Sequence, residues 1–402
     1  MRKILLGTTA VVGAALMGIT VAQAQTAPTV RVGGYFEFTG GYVDDNFDSA
    51  ATTGLPASRA KVDFRSDMEI SVIVRGKAAN GISYGAEIEL QMDNVTNAGS
   101  ANSGSGTIVD TDEMWGFISS PTLGTFQFGD QDSAADQLKV AAPSVTNLGE
   151  SGGWDEFVAP VADGTRYILT TINDGSDSTK VIYLSPQFFG FDFGVSYAPN
   201  QYEGENYLQP NAAANNALQR NTNAGSIRNE LSGALRYRGS FSNVGVAAAF
   251  SAMRGDSPTG SPNRDPNAYQ AGLNLSAMGF TIGGHYIWGR YSGSAPGRAG
   301  LAPGLSNSNN WTIGATYRFD AVSVGAFYSR GKRDNALPGV NDREQRAIGV
   351  GAVYTLAPGL ELFANYTNVE DENVLPFGAA NTAANYRDRS IDVFILGTRM
   401  AF

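Results

Sequence analysis

The sequence predicts an all-β fold, a 16-stranded antiparallel transmembrane β-barrel. Three observations carry this. Segments of period-two alternation recur to the C-terminus, weakest over 112–120 and 389–402, short and long connections strictly take turns between them, and aromatic residues gather at both ends of the apolar face. Successive side chains of a strand point to opposite faces, so period two marks strands and fits no helix.

The stretch 61–70, KVDFRSDMEI, shows the pattern plainly. Lys61, Asp63, Arg65, Asp67 and Glu69 share one parity. Val62, Phe64, Met68 and Ile70 share the other with Ser66. One face suits water, and the other suits lipid or a neighbouring subunit. The next segment puts Ile82, Tyr84, Ala86, Ile88, Leu90 and Met92 opposite Ser83, Glu87, Glu89 and Gln91. Asn80-Gly81 between the two segments is a tight-turn signal.

The strands read as 30–43, 60–78, 82–93, 112–120, 125–130, 178–185, 190–199, 228–238, 244–254, 267–277, 280–291, 310–319, 322–332, 344–356, 360–369 and 389–402. Connections near 79–81, 120–124, 186–189, 239–243, 277–279, 320–321 and 357–359 are short. Those near 44–59, 94–111, 131–177, 200–227, 255–266, 292–309, 333–343 and 370–388 are long and polar. Seven short and eight long connections join sixteen strands. The alternation places all tight turns at one end, and the even count places both termini there. Short periplasmic turns and long external loops are the signature of an outer-membrane barrel.

The aromatics agree. Tyr84, Phe191, Tyr237, Phe280, Tyr317, Phe319, Tyr354 and Phe402 lie near the short turns. Tyr42, Tyr197, Tyr269, Tyr286, Trp288, Trp311, Tyr328 and Tyr366 lie toward the long loops. Two bands of amphipathic rings match two membrane interfaces. Lipid cannot hydrogen-bond a free strand edge, so a spanning sheet must close. A barrel of this size leaves an aqueous lumen rather than a packed core.

Residues 1–24 read as a signal peptide: Arg2 and Lys3, an apolar run over 4–21, then Ala22-Gln23-Ala24. That leaves 25–402 as the barrel pore domain. The two bases leave with the signal and no acid does, so the net charge goes from −10 to −12. Such a chain is a poor partner for nucleic acid. It has no cysteine, so no disulfide staples it. No other segment is long and apolar enough for a spanning helix.

At this point the chain resembles the general diffusion porins of Gram-negative bacteria, particularly the alphaproteobacterial kind. The resemblance rests on Tyr183-x-Ser185-Pro186 followed by Gly190-Phe191, Gly194 and Tyr197. It rests also on Trp115-Gly-Phe-Ile-Ser119 followed by Leu123-Gly124-Thr125 and Gly129, and on a last strand ending in Phe402 with Met400, Leu396 and Phe394 on its parity. The family's sixteen strands match, and the resemblance covers the whole mature chain. Two places depart: Asp130 stands where similar porins carry Arg, and Ser151-Gly-Gly-Trp-Asp155 is the nearest match to their Pro-Glu-Phe-Gly-Gly run.

The resemblance implies that the third long loop, 131–177, folds into the barrel and narrows it, and that the protein is a homotrimer. A loop this long is functional or disordered. Its neighbourhood is acidic, with Asp130, Asp132, Asp136, Glu150, Asp155, Glu156 and Asp163. The polar parity of the first strands offers Arg31, Lys61, Arg65 and Arg75. Acids facing bases across the narrowest point set a transverse field that selects by sign and orients polar solutes. The plainer reading is solvated loop charge. Mixed signs on 61–69 and the net charge favour a weak cation preference. Which of Lys61 and Arg65 stands level with the loop acids stays open. So does the meaning of Ile391, Val393 and Ile395, apolar on the lumen parity: a subunit contact, or a wall plugged by protein.

The expected function is a passive, water-filled outer-membrane channel for ions and small hydrophilic solutes, seated among membrane lipid and lipopolysaccharide. The alternative is a substrate-selective channel for sugars or phosphate-containing solutes, against which the mixed charges count. A secreted soluble β-protein is the rival from another class. Enzymatic readings are poor, and no cofactor is expected. His285 is the single histidine, which makes zinc implausible. The acid groups Asp44-Asp45-x-x-Asp48, Asp174-x-x-Asp177 and Glu370-Asp371-Glu372 match no calcium-loop spacing and read as solvated charge on external loops.

Overall fold

The computed structural model describes residues 26–47, 60–93, 108–149, 152–158, 161, 167–172, 177–200, 227–258, 260–291, 301, 303–335, 337, 339–376 and 379–402. The expected signal segment lies outside these, as do Asp48, Asp174 and the expected lumen acids Glu150 and Asp163.

Sixteen strands form one closed antiparallel barrel. They are β1 (Thr26–Asp45), β2 (Val62–Lys77), β3 (Ser83–Asp93), β4 (Ile108–Ser120), β5 (Gly124–Asp130), β6 (Thr179–Leu184), β7 (Phe191–Asn200) and β8 (Arg228–Phe241), followed by β9 (Val244–Asp256), β10 (Asn267–Ala277), β11 (Phe280–Arg290), β12 (Ser308–Phe319), β13 (Val322–Arg333), β14 (Arg343–Ala357), β15 (Leu360–Val374) and β16 (Arg387–Ala401). Each pairs with its sequence neighbours. β16 closes on β1 from Tyr35↔Ala401 to Asp45↔Ile391. Backbone bonds between Gly34 and Phe402 tie the last residue into that seam. Closure leaves no edge for lipid to desolvate.

The tight turns are where expected. Met278 and Gly279 both have positive φ, 53° and 84°, the geometry of a two-residue hairpin. The Asn80-Gly81 turn is wider. Ala78 N bonds Ile82 O at 2.8 Å, and Asn80 Oδ1 accepts from Ile82 N at 3.2 Å.

Even-numbered residues of β2 point outward, with Val62 and Phe64 exposed. The outer face carries two girdles of rings. Phe280 stacks on Tyr317 at 4.2 Å and Phe191 meets Tyr237 at 4.9 Å near the short turns. Trp311 meets Tyr328 at 5.3 Å, and Tyr269 meets Trp288 at 5.7 Å, toward the long loops.

Two expectations need correction. Glu370-Asp371-Glu372 does not lie on a loop: β15 runs on to Val374. Nor are these acids simply solvated. Asp371 is buried and accepts from Arg343 Nε at 2.9 Å, Arg343 Nη2 at 2.6 Å and Gln345 Nε2 at 2.8 Å. Asp45 is likewise buried against Arg389. Carboxylates taken out of water persist only when paired and hydrogen-bonded, and these pairs knit the strand extensions together.

The main apolar cluster lies inside the barrel. Val43, Phe327, Phe363, Val369, Ile391, Val393 and Ile395 of the wall pack with Leu148, Trp154, Val158 and Ile168 of the third long loop. The apolar lumen parity of β16 is thus a wall covered by the chain's own loop.

Candidate functional site

The third long loop runs from the end of β5 to the start of β6 and lies against the inner wall. It starts with a one-turn helix, α1 (Ala134–Gln137), capped by Ser133. Ala134 N donates to Ser196 Oγ at 3.1 Å, and Ser251 Oγ donates to Ala135 O at 3.3 Å. Arg236, bound to Asp192 at 2.8 Å, also donates to Gln137 O.

The loop then crosses the wall over inward-facing glycines. A Cβ at Gly272 would stand 1.7 Å from Val140 O, and one at Gly314 would stand 2.4 Å from Pro143 O. No side chain fits there, so these strands need glycine for the loop to approach. Side-chain amides satisfy the loop's backbone. Asn274 donates to Ala141 O and Asn365 to Thr146 O, both at 2.9 Å. Beyond the 3-10 turn Gly153–Phe157 the chain comes back along the wall. Gln345 Oε1 accepts from Tyr167 N and Ile168 N, and Gln270 Nε2 donates to Thr170 O at 2.7 Å.

His285 joins the two passes. Its Nδ1 accepts from Ala142 N at 3.0 Å, so Nε2 carries the proton and donates to Leu169 O at 2.7 Å. The buried ring is a neutral clamp.

The expected lumen residues divide. Arg65 on β2 and Glu156 on the loop meet at 2.5 Å, and Arg65 also approaches Asp67 at 3.5 Å. Asp155 lies beside Glu156 in the same turn. Desolvation pushes the Glu156 carboxyl up to about 7, against the pull of Arg65. Asp136 is buried and paired with Lys139 at 2.5 Å. Asp132 is pushed up to about 9, by burial first and by the neighbouring Asp136. The other expected residues are not drawn into this set. Lys61 pairs with Asp44 at 2.6 Å at the exposed rim. Arg31 and Arg75 lie toward the short turns, and the Arg75 guanidinium stands 5.8 Å over the Phe117 ring. Asp130 shares the parity of outward Phe126 and Phe128 and accepts from Thr179 Oγ1 at 2.5 Å.

Sequence reasoning missed an acidic stretch of wall. Carboxylate oxygens of Glu69, Glu89 and Asp112 lie within 4.8 Å of one another, as do those of Glu113, Asp132 and Asp177. The parity of Glu87 and Glu89 was visible. That of β4 was not, because a bulge opposite Ile88–Leu90 shifts its register and breaks the period-two pattern.

A closed barrel of this strand number, with a loop folded against one side of its lumen, defines a membrane channel. The chain belongs to the Gram-negative porin family, whose sequence model matches residues 7–374. No curated protein matches the chain. Among solved structures it is similar to a loop-deletion form of OmpT, an outer-membrane protein of Vibrio cholerae, at TM-score 0.57 and 14% identity over 94% of this chain and 100% of that one. In-vitro folded OmpT, described as a trimer form, gives 0.55 and 13% over the same shares. A doubly substituted Rh. blastica porin gives 0.53 and 18% over 93% and 100%. These likenesses show the fold, and the family match shows an outer-membrane diffusion channel.

Proposed function

We propose that the protein is a passive, weakly cation-preferring pore for ions and small hydrophilic solutes, assembled as a homotrimer. One observation carries the reading: the described residues of the loop cover one side of the lumen. Inward residues of β9–β16 such as Ser251, Gln270, Thr312 and Asn365 are buried, whereas Glu69, Glu87, Glu89 and Glu113 across the barrel keep contact with solvent. An accessible acidic wall in a water-filled lumen draws cations without holding them, because conduction requires release. The Arg65–Glu156 pair marks the narrowing, with Asp155 beside it. The trimeric form of OmpT supports the assembly by likeness.

Planar-bilayer recording of the purified protein tests this. Ohmic steps and a reversal potential favouring the cation of a salt gradient are expected. Absence of conductance overturns the pore, and an anion-favouring potential overturns the preference. Cross-linking in detergent to a trimer band tests the assembly, and a monomer band alone overturns it.

A further inference from the structure

Charge inside the barrel changes sign along its axis. Toward the long loops the open wall carries Glu69, Glu87, Glu89 and Glu113. The bases at that level are paired or covered: Lys61 is on Asp44, Arg65 on Glu156, and Lys180 is buried. Close to the short turns the inward parities carry arginines instead, Arg31 of β1, Arg75 of β2, Arg236 and Arg238 of β8, Arg318 of β12 and Arg399 of β16. These strands are spread round the barrel, so the bases ring the lumen. The change of sign is abrupt. Glu87 lies across from Ile73, and Arg75, two residues nearer the turn, lies across from Gly85. Among the described residues, the inward strand acids level with the ring are Asp192, Glu361 and Glu37. Asp192 is shared by Arg236 and Arg238, at 2.8 and 2.9 Å. Glu361 accepts from Thr146 Oγ1 at 2.9 Å, and Glu37 stands 3.9 Å from Arg399. Arg31, Arg75 and Arg318 are exposed and pair with no described carboxylate. The ring is therefore net positive.

We propose, resting on the channel reading above, that the lumen is a two-zone rectifier that passes more current when its long-loop side is positive. Acidic walls in a pore favour cations, and basic ones favour anions. With the long-loop side positive, cations enter through the acidic zone and anions through the basic ring. Both accumulate where the zones meet, and conductance rises. With the opposite polarity each ion must enter through the zone that repels it, and the meeting point empties of carriers. The two zones also oppose each other in selectivity, which keeps the net cation preference weak.

The test is the ratio of currents at equal and opposite voltages, in planar bilayers holding the full-length mature protein between identical potassium chloride solutions. About pH 8 keeps ordinary carboxylates ionised and arginines charged. The chain has no cysteine, so biotin coupled at Pro262→Cys, exposed on a long connection, marks one end of the channel. Streptavidin added to one compartment then shows which side the long loops face. The ratio should be near one at about 1 M salt, where screening reaches ~3 Å, and should grow at about 0.01 M, where it reaches ~30 Å. About twofold is expected there, the scale of a wall potential of order kT. Neutralising the ring in Arg31→Gln, Arg75→Gln, Arg318→Gln combined should reduce the ratio and raise cation preference. Glu69→Gln with Glu87→Gln should also reduce the ratio, but lower cation preference. Symmetric current in dilute salt overturns the proposal, as does larger current with the long-loop side negative. So does a ratio that neither set of substitutions changes. Loss of conductance in wild type strikes the channel itself, while normal but symmetric conductance strikes only the two-zone lumen.

Discussion

Arg65 of β2 and Glu156 of the third long loop form an ion pair of 2.5 Å, joining the barrel wall to a loop residue 91 positions away in sequence. Glu156 keeps 36% of its side chain exposed, and Arg65 keeps 19%. Water screens such a pair, so its effect on stability is about 1 kcal/mol or less. On the proposed reading its larger effect is on the pore, where it sets the charge at the narrowing. Glu156→Gln should lower cation preference, and Arg65→Gln should raise it. Reversal potentials in a salt gradient check both, and unchanged values would remove the pair from the ion path.

The pH dependence follows from Glu156. Its carboxyl is raised to about 7 from an ordinary 4.5, so the folded protein holds this proton over a window where the unfolded chain has released it. Stability from this group therefore falls as pH rises through that window. Its negative charge appears in the lumen only as pH passes about 7. Cation preference should rise between about pH 6 and pH 8, and Glu156→Gln should flatten that rise.

Gly272 tests how the loop is held. Gly272→Ala would put a methyl group 1.7 Å from Val140 O, which forces the loop off the wall. Overpacking of this kind costs about 1–3 kcal/mol. A changed single-channel conductance and faster proteolysis within 131–178 are expected, with the barrel still resisting unfolding in detergent at room temperature. Unchanged conductance would mean that the loop does not narrow the path.

His285 is a structural clamp. His285→Ala leaves Ala142 N and Leu169 O without these partners, at about 1–3 kcal/mol for each buried group. Greater current noise and loop proteolysis are the expected outcome. A variant as quiet as wild type would show that other contacts hold the loop.

Much of this architecture was legible in the residues. All sixteen expected segments became strands, because alternation is read from single positions and a half-buried sheet enforces it. The errors fall at strand ends and at one bulge. Glu370-Asp371-Glu372 looked like loop charge because its partners, Arg343 and Arg346, are 26 to 28 residues away. The site was legible only in part. Arg65 and Glu156 were both named among the expected lumen residues. Nothing local told Arg65 from Lys61, which the fold turns to Asp44 instead.

The sequence by itself determined the strand count, the parity of most strands and the end at which the turns lie, since each depends on spacing along the chain; the parity of β4 was hidden by its bulge. Tertiary structure alone decided which wall the loop covers. The inward glycines, the apolar strip Ile391–Val393–Ile395 and the clamp at His285 belong to different strands, and they form one bed only once the barrel closes. Contact between a loop and a wall depends on that closure rather than on any period, and the same closure leaves the side of Glu69, Glu87 and Glu89 open to water.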